Sequence, residues 1–214
     1  MGAEETATVF VVDDDEDVRH ALRWLIESVD LKVATYESAE AFLAAYTPSQ
    51  PGCLVLDVRM PGMGGLGLLE HLRANGIVLP TIIITGHGDV PIAVRAMKAG
   101  AMDFIEKPFT DQDLLDQIQR ALKEDARLRS QQRERAEVLS RLQTLTPREH
   151  EVLQRVVQGQ ANKVISAELG ISERTVETHR KKIMDKMQAR SLAELVQMTL
   201  LTHLTSIPSH PGNP

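Results

Sequence analysis

A single cysteine, Cys53, stands among the 214 residues, so no internal disulfide can brace the chain and nothing points to an oxidising compartment. No stretch approaches the roughly 20 apolar residues of a membrane-spanning helix, and the N-terminus has no basic run leading into an apolar one. The expectation is a soluble, intracellular protein of the cytoplasm with no membrane partner. The seven histidines are scattered without metal-ligand spacing, which argues against a zinc site.

What the chain does have is an uneven charge. The net charge of −6 divides into 10 Lys and Arg against 19 Asp and Glu in residues 1–123, or −9, and 14 against 11 in residues 124–214, or +3. An acidic first half and a mildly basic second half suggest two domains with different partners.

The first half alternates between two periodicities. Short β-rich apolar runs occur at Val9–Val12, Lys32–Tyr36, Cys53–Leu56, Thr81–Thr85 and Asp103–Ile105. Between them lie stretches of helical period at Val18–Val29, Ala39–Tyr46, Leu66–Ala74 and Pro91–Ala99, and a further helix starts near Asp111 with Thr110 as its N-cap. Five strands alternating with five helices predict an α/β fold, a parallel sheet covered on both faces. Ligands of such sheets bind beyond the carboxyl ends of the strands.

At those ends stand Asp13 and Asp14 after the first strand, Asp57 after the third, Thr85 at the end of the fourth and Lys107 after the fifth. Clustered carboxylates repel one another, and a hard cation such as Mg²⁺, which takes one or two carboxylates with waters and a phosphate, relieves that repulsion. A carboxylate can also serve as nucleophile and form an aspartyl-phosphate. Each residue has an ordinary alternative. An acid run suits a solvated helix N-terminus, the natural reading of Glu16 and Asp17. Thr85 can be a plain strand residue, and Lys107 a surface lysine. An aspartate nucleophile at a strand end also serves the haloacid-dehalogenase-like phosphatases, which place an acid two residues later. Arg59 occupies that position and cannot donate a proton usefully.

The segments "VVDDD", "LDVRMPGMGG", "ITGHGD" and "DFIEKPF" occur in this order across residues 8–123. In them the chain resembles the two-component response regulators. The resemblance implies a flavodoxin-like receiver whose Asp57 accepts a phosphoryl group from a partner sensor histidine kinase. It also implies Mg²⁺ held by Asp14, Asp57 and the backbone carbonyl of Arg59, with Asp13 acting through water. Thr85 and Lys107 would act on the phosphoryl group, and Thr85 with Phe104 would form the switch, a plain core ring being the alternative for Phe104. The Lys107-Pro108 bond is usually cis in this family. Asp15 receives no ligand role.

Residues 124–142 are rich in strong helix formers, without glycine or proline, and predict a charged helical linker. A second domain is expected over 143–205. Thr146, Pro147 and Glu149 make a capping box, Gly159 stops that helix, and "NKVISAELGIS" turns at Gly170 into "ERTVETHRKKIMDKM", capped by Ser172. Ser191 and Glu194 cap a last helix. The middle pair forms a helix-turn-helix candidate. At 100° per residue, Val176, Ile183 and Met187 share one face, while Arg174, Thr178 and Lys181 lie opposite, with Glu177 and Lys182 flanking. Such a face suits the major groove, and an ordinary solvated lysine-rich face is its alternative.

This part resembles the LuxR-type (FixJ/NarL-type) output domains in "LTPREHEVL", "NKVISAELGIS" and "RTVETHRKKIMDKM", and the receiver is close to FixJ- and StyR-like regulators. The resemblance implies a non-enzymatic transcription regulator that forms a homodimer on phosphorylation and binds paired half-sites of double-stranded DNA, with RNA polymerase as a further partner. Lys163, Arg180 and Lys182 would contact phosphates, and Thr178 and Lys181 bases. A phosphorylation-independent DNA binder, with the receiver as dimerisation scaffold, is the alternative. The Pro-rich tail 206–214 is expected to be disordered.

Overall fold

The computed structural model describes residues 6–86 and 90–202; His87 to Asp89 of the "ITGHGD" segment and the expected disordered tail lie outside them. The described residues divide into two compact units, with the division along the chain between Arg129 and Ser130.

The first unit holds β1 (Thr8–Val12), β2 (Lys32–Tyr36), β3 (Gly52–Asp57), β4 (Thr81–Thr85) and β5 (Asp103–Glu106). These form one parallel sheet of order β2-β1-β3-β4-β5. Between the strands run α1 (Glu16–Glu27), α2 (Ala39–Ala45), α3 (Gly64–Ala74) and α4 (Val90–Ala99), and α5 (Asp111–Gln143) follows β5. This is the expected flavodoxin-like arrangement. Every residue of β1, β3 and β4 is buried, as continuous apolar runs between two helical layers should be.

Alternation along the strands sorts the core into two faces. Val9, Val11, Val55 and Ile84 pack with Leu22 and Ile26 of α1 and with Leu114 and Ile118 of α5. Phe10, Val12, Leu56 and Ile83 pack with Phe42 of α2, Leu68 and Leu72 of α3, and Ala96 of α4. Phe10 meets Phe42 and Tyr46 edge-on at centroid distances of 5.8 and 5.2 Å. Burying each such ring contributes about 1.5–3 kcal/mol.

The second unit contains α6 (Pro147–Val157), α7 (Asn162–Leu169), α8 (Glu173–Met187) and α9 (Leu192–Leu201). Thr146 and Glu149 form the expected capping box, and Ser172 and Ser191 cap the helices that follow them. Glu194 differs in detail, accepting a bond from the backbone N–H of Arg190 at 2.7 Å. Gly170 adopts φ +62°, the left-handed conformation that ends α7 and begins the turn into α8.

The contacts of α5 move the expected domain edges. Asp125 is buried, with 2% exposure, and accepts the Gly52 N–H at 3.0 Å. Arg129 pairs with Asp125 at 2.8 Å and also donates to the carbonyls of Pro48, Ser49 and Gln50. Further along, Val138 and Leu142 join the core of the second unit with Leu145, Val152 and Ile183. Within residues 124–142, the longest unbroken run of exposed residues is 130–137. The solvated linker is therefore shorter than residues 124–142, because both ends of that segment are absorbed into packed units.

Candidate functional site

Parallel pairing brings the carboxyl ends of the strands to one edge. The sheet order reverses between β1 and β3, and their register places Val12 beside Leu56. The next residue on each strand, Asp13 and Asp57, therefore enters the crevice where ligands of such sheets sit. Asp13 is 2% exposed and Asp57 6%. Lys107, just beyond β5, donates from Nζ to Asp13 Oδ2 at 3.0 Å and to Asp57 Oδ1 at 3.4 Å. The convergence expected from strand ends is present for these three residues.

Backbone donors hold the remaining carboxylate oxygens. The Arg59 N–H bonds to Asp57 Oδ2 at 2.7 Å, and the Asp15 N–H to Asp13 Oδ1 at 2.9 Å. Arg19 of α1 secures the same turn by donating to the Asp13 carbonyl at 2.8 Å. Burial pushes the Asp57 carboxyl above its ordinary range, and the neighbouring Asp13 charge adds to this. Lys107 and the Arg59 N–H oppose it. Two buried carboxylates against one ammonium leave a negative balance in a partly desolvated crevice.

The other acids separate by role. Asp15 is the N-cap of α1, accepting from the Asp17 and Val18 N–H groups at 2.9 and 3.3 Å, which accounts for the third aspartate of the run. Asp14 is exposed at the rim. Among the described residues no three His, Cys, Asp or Glu side chains form a ready metal cluster. A hard cation does not require one, since carbonyl and water oxygens complete its shell. The buried Asp13 and Asp57 carboxylates, oxygen donors whose charge exceeds that of Lys107, with the exposed Asp14 beside them, fit such an ion.

The loop after β3 is tightly confined. A Cβ on Gly65 would lie 2.0 Å from the Asp57 carbonyl oxygen, so only glycine lets α3 begin this close to the strand end. Glu40 of α2 accepts the Met63 N–H at 3.1 Å and pins the other end of the loop. Thr85 is 1% exposed, and its carbonyl accepts the Lys107 N–H at 2.8 Å. The Lys107-Pro108 bond is cis, as the resemblance implied. Phe104 pairs in register with Ile83, two residues before Thr85, so Phe104 and Thr85 share one face of the sheet. The ring is half-buried against that face's core.

In the second unit, α7 and α8 form the helix-turn-helix. Val176, Ile183 and Met187 of α8 are buried, as their spacing predicted. Arg174, Glu177, Thr178, Lys181 and Lys182 are exposed, as is Lys163 on α7. The Thr178 hydroxyl donates to the Arg174 carbonyl at 2.9 Å. Arg180 stands apart: it is half-buried and donates to Asn162 Oδ1 at 3.2 Å.

Several anchoring residues carried no readable signal. Lys186 of α8 bonds to the buried Glu149 at 2.7 Å and to the Thr144 carbonyl at 2.9 Å. Burial opposes ionisation of Glu149, but the Lys186 ammonium together with the Thr146 N–H and hydroxyl outweighs it and holds the carboxyl at about 2. Arg155 pairs with Glu168 at 2.8 Å, tying α6 to α7. Apart from the Glu149 capping box, these pairings join residues that no local motif links.

The response regulator receiver domain matches residues 9–119, and the bacterial regulatory proteins of the luxR family match residues 143–199. Transcriptional regulatory protein FixJ of Azorhizobium caulinodans is 50% identical over 197 residues, covering 92% of this chain and 93% of that protein. Nodulation protein W of Bradyrhizobium diazoefficiens is 47% identical over 92% of this chain and 87% of its own length. Among solved structures, the response regulator StyR aligns with a TM-score of 0.82 at 48% identity, over 91% of this chain and 98% of that one. Full-length FixJ from B. japonicum aligns with a TM-score of 0.57 at 40% identity, over 92% and 98%.

Proposed function

The chain belongs to the two-component response regulators that join a receiver to a LuxR-type DNA-binding domain and regulate transcription, and from that premise we propose that Asp57 is its phosphoacceptor. The observation that carries the reading is the convergence of Asp13, Asp57 and Lys107 in one buried crevice. A phosphoryl group passes from a histidine of the partner kinase to an Asp57 carboxylate oxygen. The P–O bond forms as the P–N bond breaks, and the electron pair returns to the imidazole nitrogen. Such transfer depends chiefly on positioning and on cancelling charge at the equatorial oxygens.

The residues divide that work. The Arg59 N–H fixes one oxygen of Asp57 and leaves the other beside the Lys107 ammonium, where positive charge meets the incoming group. Asp14, Asp57 and the Arg59 carbonyl would hold Mg²⁺, with Asp13 acting through water. When bound, the ion supplies a second positive centre for the phosphoryl oxygens. Thr85 offers its hydroxyl to the phosphorylated form, and Phe104, on the same face, follows it. This exchange favours a homodimer that meets paired half-sites on DNA and engages RNA polymerase in the cytoplasm. A coupling of about 1–3 kcal/mol, or roughly 5- to 150-fold in affinity, is typical of such switches.

On the DNA side, Thr178 and Lys181 are offered to base edges, and Lys163 and Lys182 to phosphates, with Arg174 beside them. The test of the phosphoacceptor is incubation with a small phosphodonor and Mg²⁺, followed by mass spectrometry. One phosphoryl group is expected, lost in Asp57→Asn and suppressed by chelation. Undiminished labelling of the Asn variant would show that the nucleophile lies elsewhere.

A further inference from the structure

We infer that Arg180 is a positioning residue that locks the two helices of the helix-turn-helix together, and is not one of the cations that hold the DNA backbone. The inference rests on the DNA-binding reading and refines its contact set. With Val176 at zero and 100° per residue, Arg180 falls near 40°. Ile183 and Met187, both buried, lie within about 20° of Val176. Arg174, Thr178 and Lys181 are all more than about 135° away from it. Arg180 therefore leaves α8 on its inward side, while Arg174, Lys181 and Lys182 are exposed on the outward side.

Its surroundings agree. The side chain is half-buried and lines a partly open pocket of about 210 Å³ with Val156 of α6, Ile183 and Met184 of α8, and Leu192 and Leu195 of α9. Its Nη1 donates to the side-chain oxygen of Asn162 at 3.2 Å. Asn162 is the first residue of α7, a helix whose N-cap, Ala161, makes no side-chain capping bond. An Arg stem covering apolar surface with its head fixed to a polar partner is a common packing device. Here it links the start of α7 to the middle of α8, so the spacing of Lys163 on one helix from Lys181 and Lys182 on the other depends on it.

A phosphate contact and a positioning contact differ in their salt dependence. Each phosphate neutralised contributes about 0.9 to the slope of log affinity against log salt concentration. Loss of a positioning contact lowers affinity at every salt concentration and leaves the slope alone. The test uses the full chain, incubated throughout with a small phosphodonor and Mg²⁺, and a duplex that the wild-type protein so treated recovers from a random-sequence pool. Asn162→Ala removes the partner of Arg180 without touching any charge, and Arg180→Met keeps the apolar stem.

Both variants are expected to bind roughly 2- to 10-fold more weakly with the wild-type slope. Lys182→Ala, in contrast, should lower the slope by about 0.9. A slope lowered by Arg180→Met, or wild-type affinity in both variants, overturns the inference. If Arg180→Met does not fold by circular dichroism, Asn162→Ala decides: weaker binding at unchanged slope supports the inference, and wild-type binding refutes it. Recovery of no duplex by the wild-type protein would instead refute the DNA-binding reading.

Discussion

Cutting the chain after residue 123, where the alternating pattern is complete, should yield a receiver markedly less stable than one cut after residue 137. The longer fragment retains Asp125 and Arg129, which the contacts of the structure assign to the first unit. Asp125 is almost fully buried and gives the Gly52 N–H, at the start of β3, its partner. Arg129 neutralises that carboxylate and satisfies carbonyls of three consecutive residues, Pro48 to Gln50. Truncation removes both charges together and lets the freed backbone groups reach water. The loss is then mainly that of charge-assisted hydrogen bonds, about 2–4 kcal/mol in total. Arg129→Ala in the longer fragment is the harsher change, because it strands a buried carboxylate, at a cost of about 3–5 kcal/mol. The double variant Asp125→Ala with Arg129→Ala should accordingly be more stable than Arg129→Ala alone. Urea unfolding followed by far-ultraviolet circular dichroism measures all four species; the single tryptophan, Trp24, is 78% exposed and a poor reporter. Equal midpoints for the two fragments, or an Arg129→Ala cost below about 1 kcal/mol, would reduce the clasp to an ordinary surface pair and refute the reasoning.

The Glu149 carboxyl, held at about 2 against an ordinary 4.5, has a lowered folded-state value, so its stabilisation is complete above about 4.5 and is lost as pH falls toward 2. The second unit should lose about 2 kcal/mol across that window, since Lys186 is partly solvated, and Glu149→Gln should flatten the dependence seen by thermal unfolding at successive pH values. Cys53 is buried and its thiol is pushed up to about 12, chiefly by burial and then by the Asp125 charge. Alkylation of the native chain should therefore run at least ~1,000-fold slower than in denaturant and track global opening; rapid native labelling would contradict this packing. Thr85→Ala should still accept a phosphoryl group at Asp57 while losing most of the phosphorylation-dependent gain in dimerisation, read by sedimentation. An undiminished gain would remove Thr85 from the switch.

The parts of this protein determined by sequence alone are those in which one element carries its own instruction. Continuous apolar runs specified strands buried on both faces, and Thr146 with Glu149, Ser172 and Gly170 marked helix ends through hydrogen bonds to residues a few positions away. The buried stripe of α8 followed from spacing, because a helix has a fixed angular period. The acids and the lysine stood at strand ends, and a parallel sheet collects its ends at one edge, so the crevice was legible too. Tertiary structure decided which of those acids meet. Lys107 reaches Asp13 across 94 residues, and only the β1–β3 register sets Asp57 beside Asp13 while Asp15 turns away to cap α1. It also extended the receiver to Arg129, because the partners of Asp125 and Arg129 lie 73 to 81 residues back along the chain. Arg180 shows the same division at closer range. The family resemblance implied a contact with phosphate; its place on the inward side of α8 was written in the 3.6-residue period, and Asn162 became its partner only when α7 folded against α8. Local spacing encodes dihedral preference and the face an element buries; it carries no information about which distant backbone group will lack a partner once the elements pack.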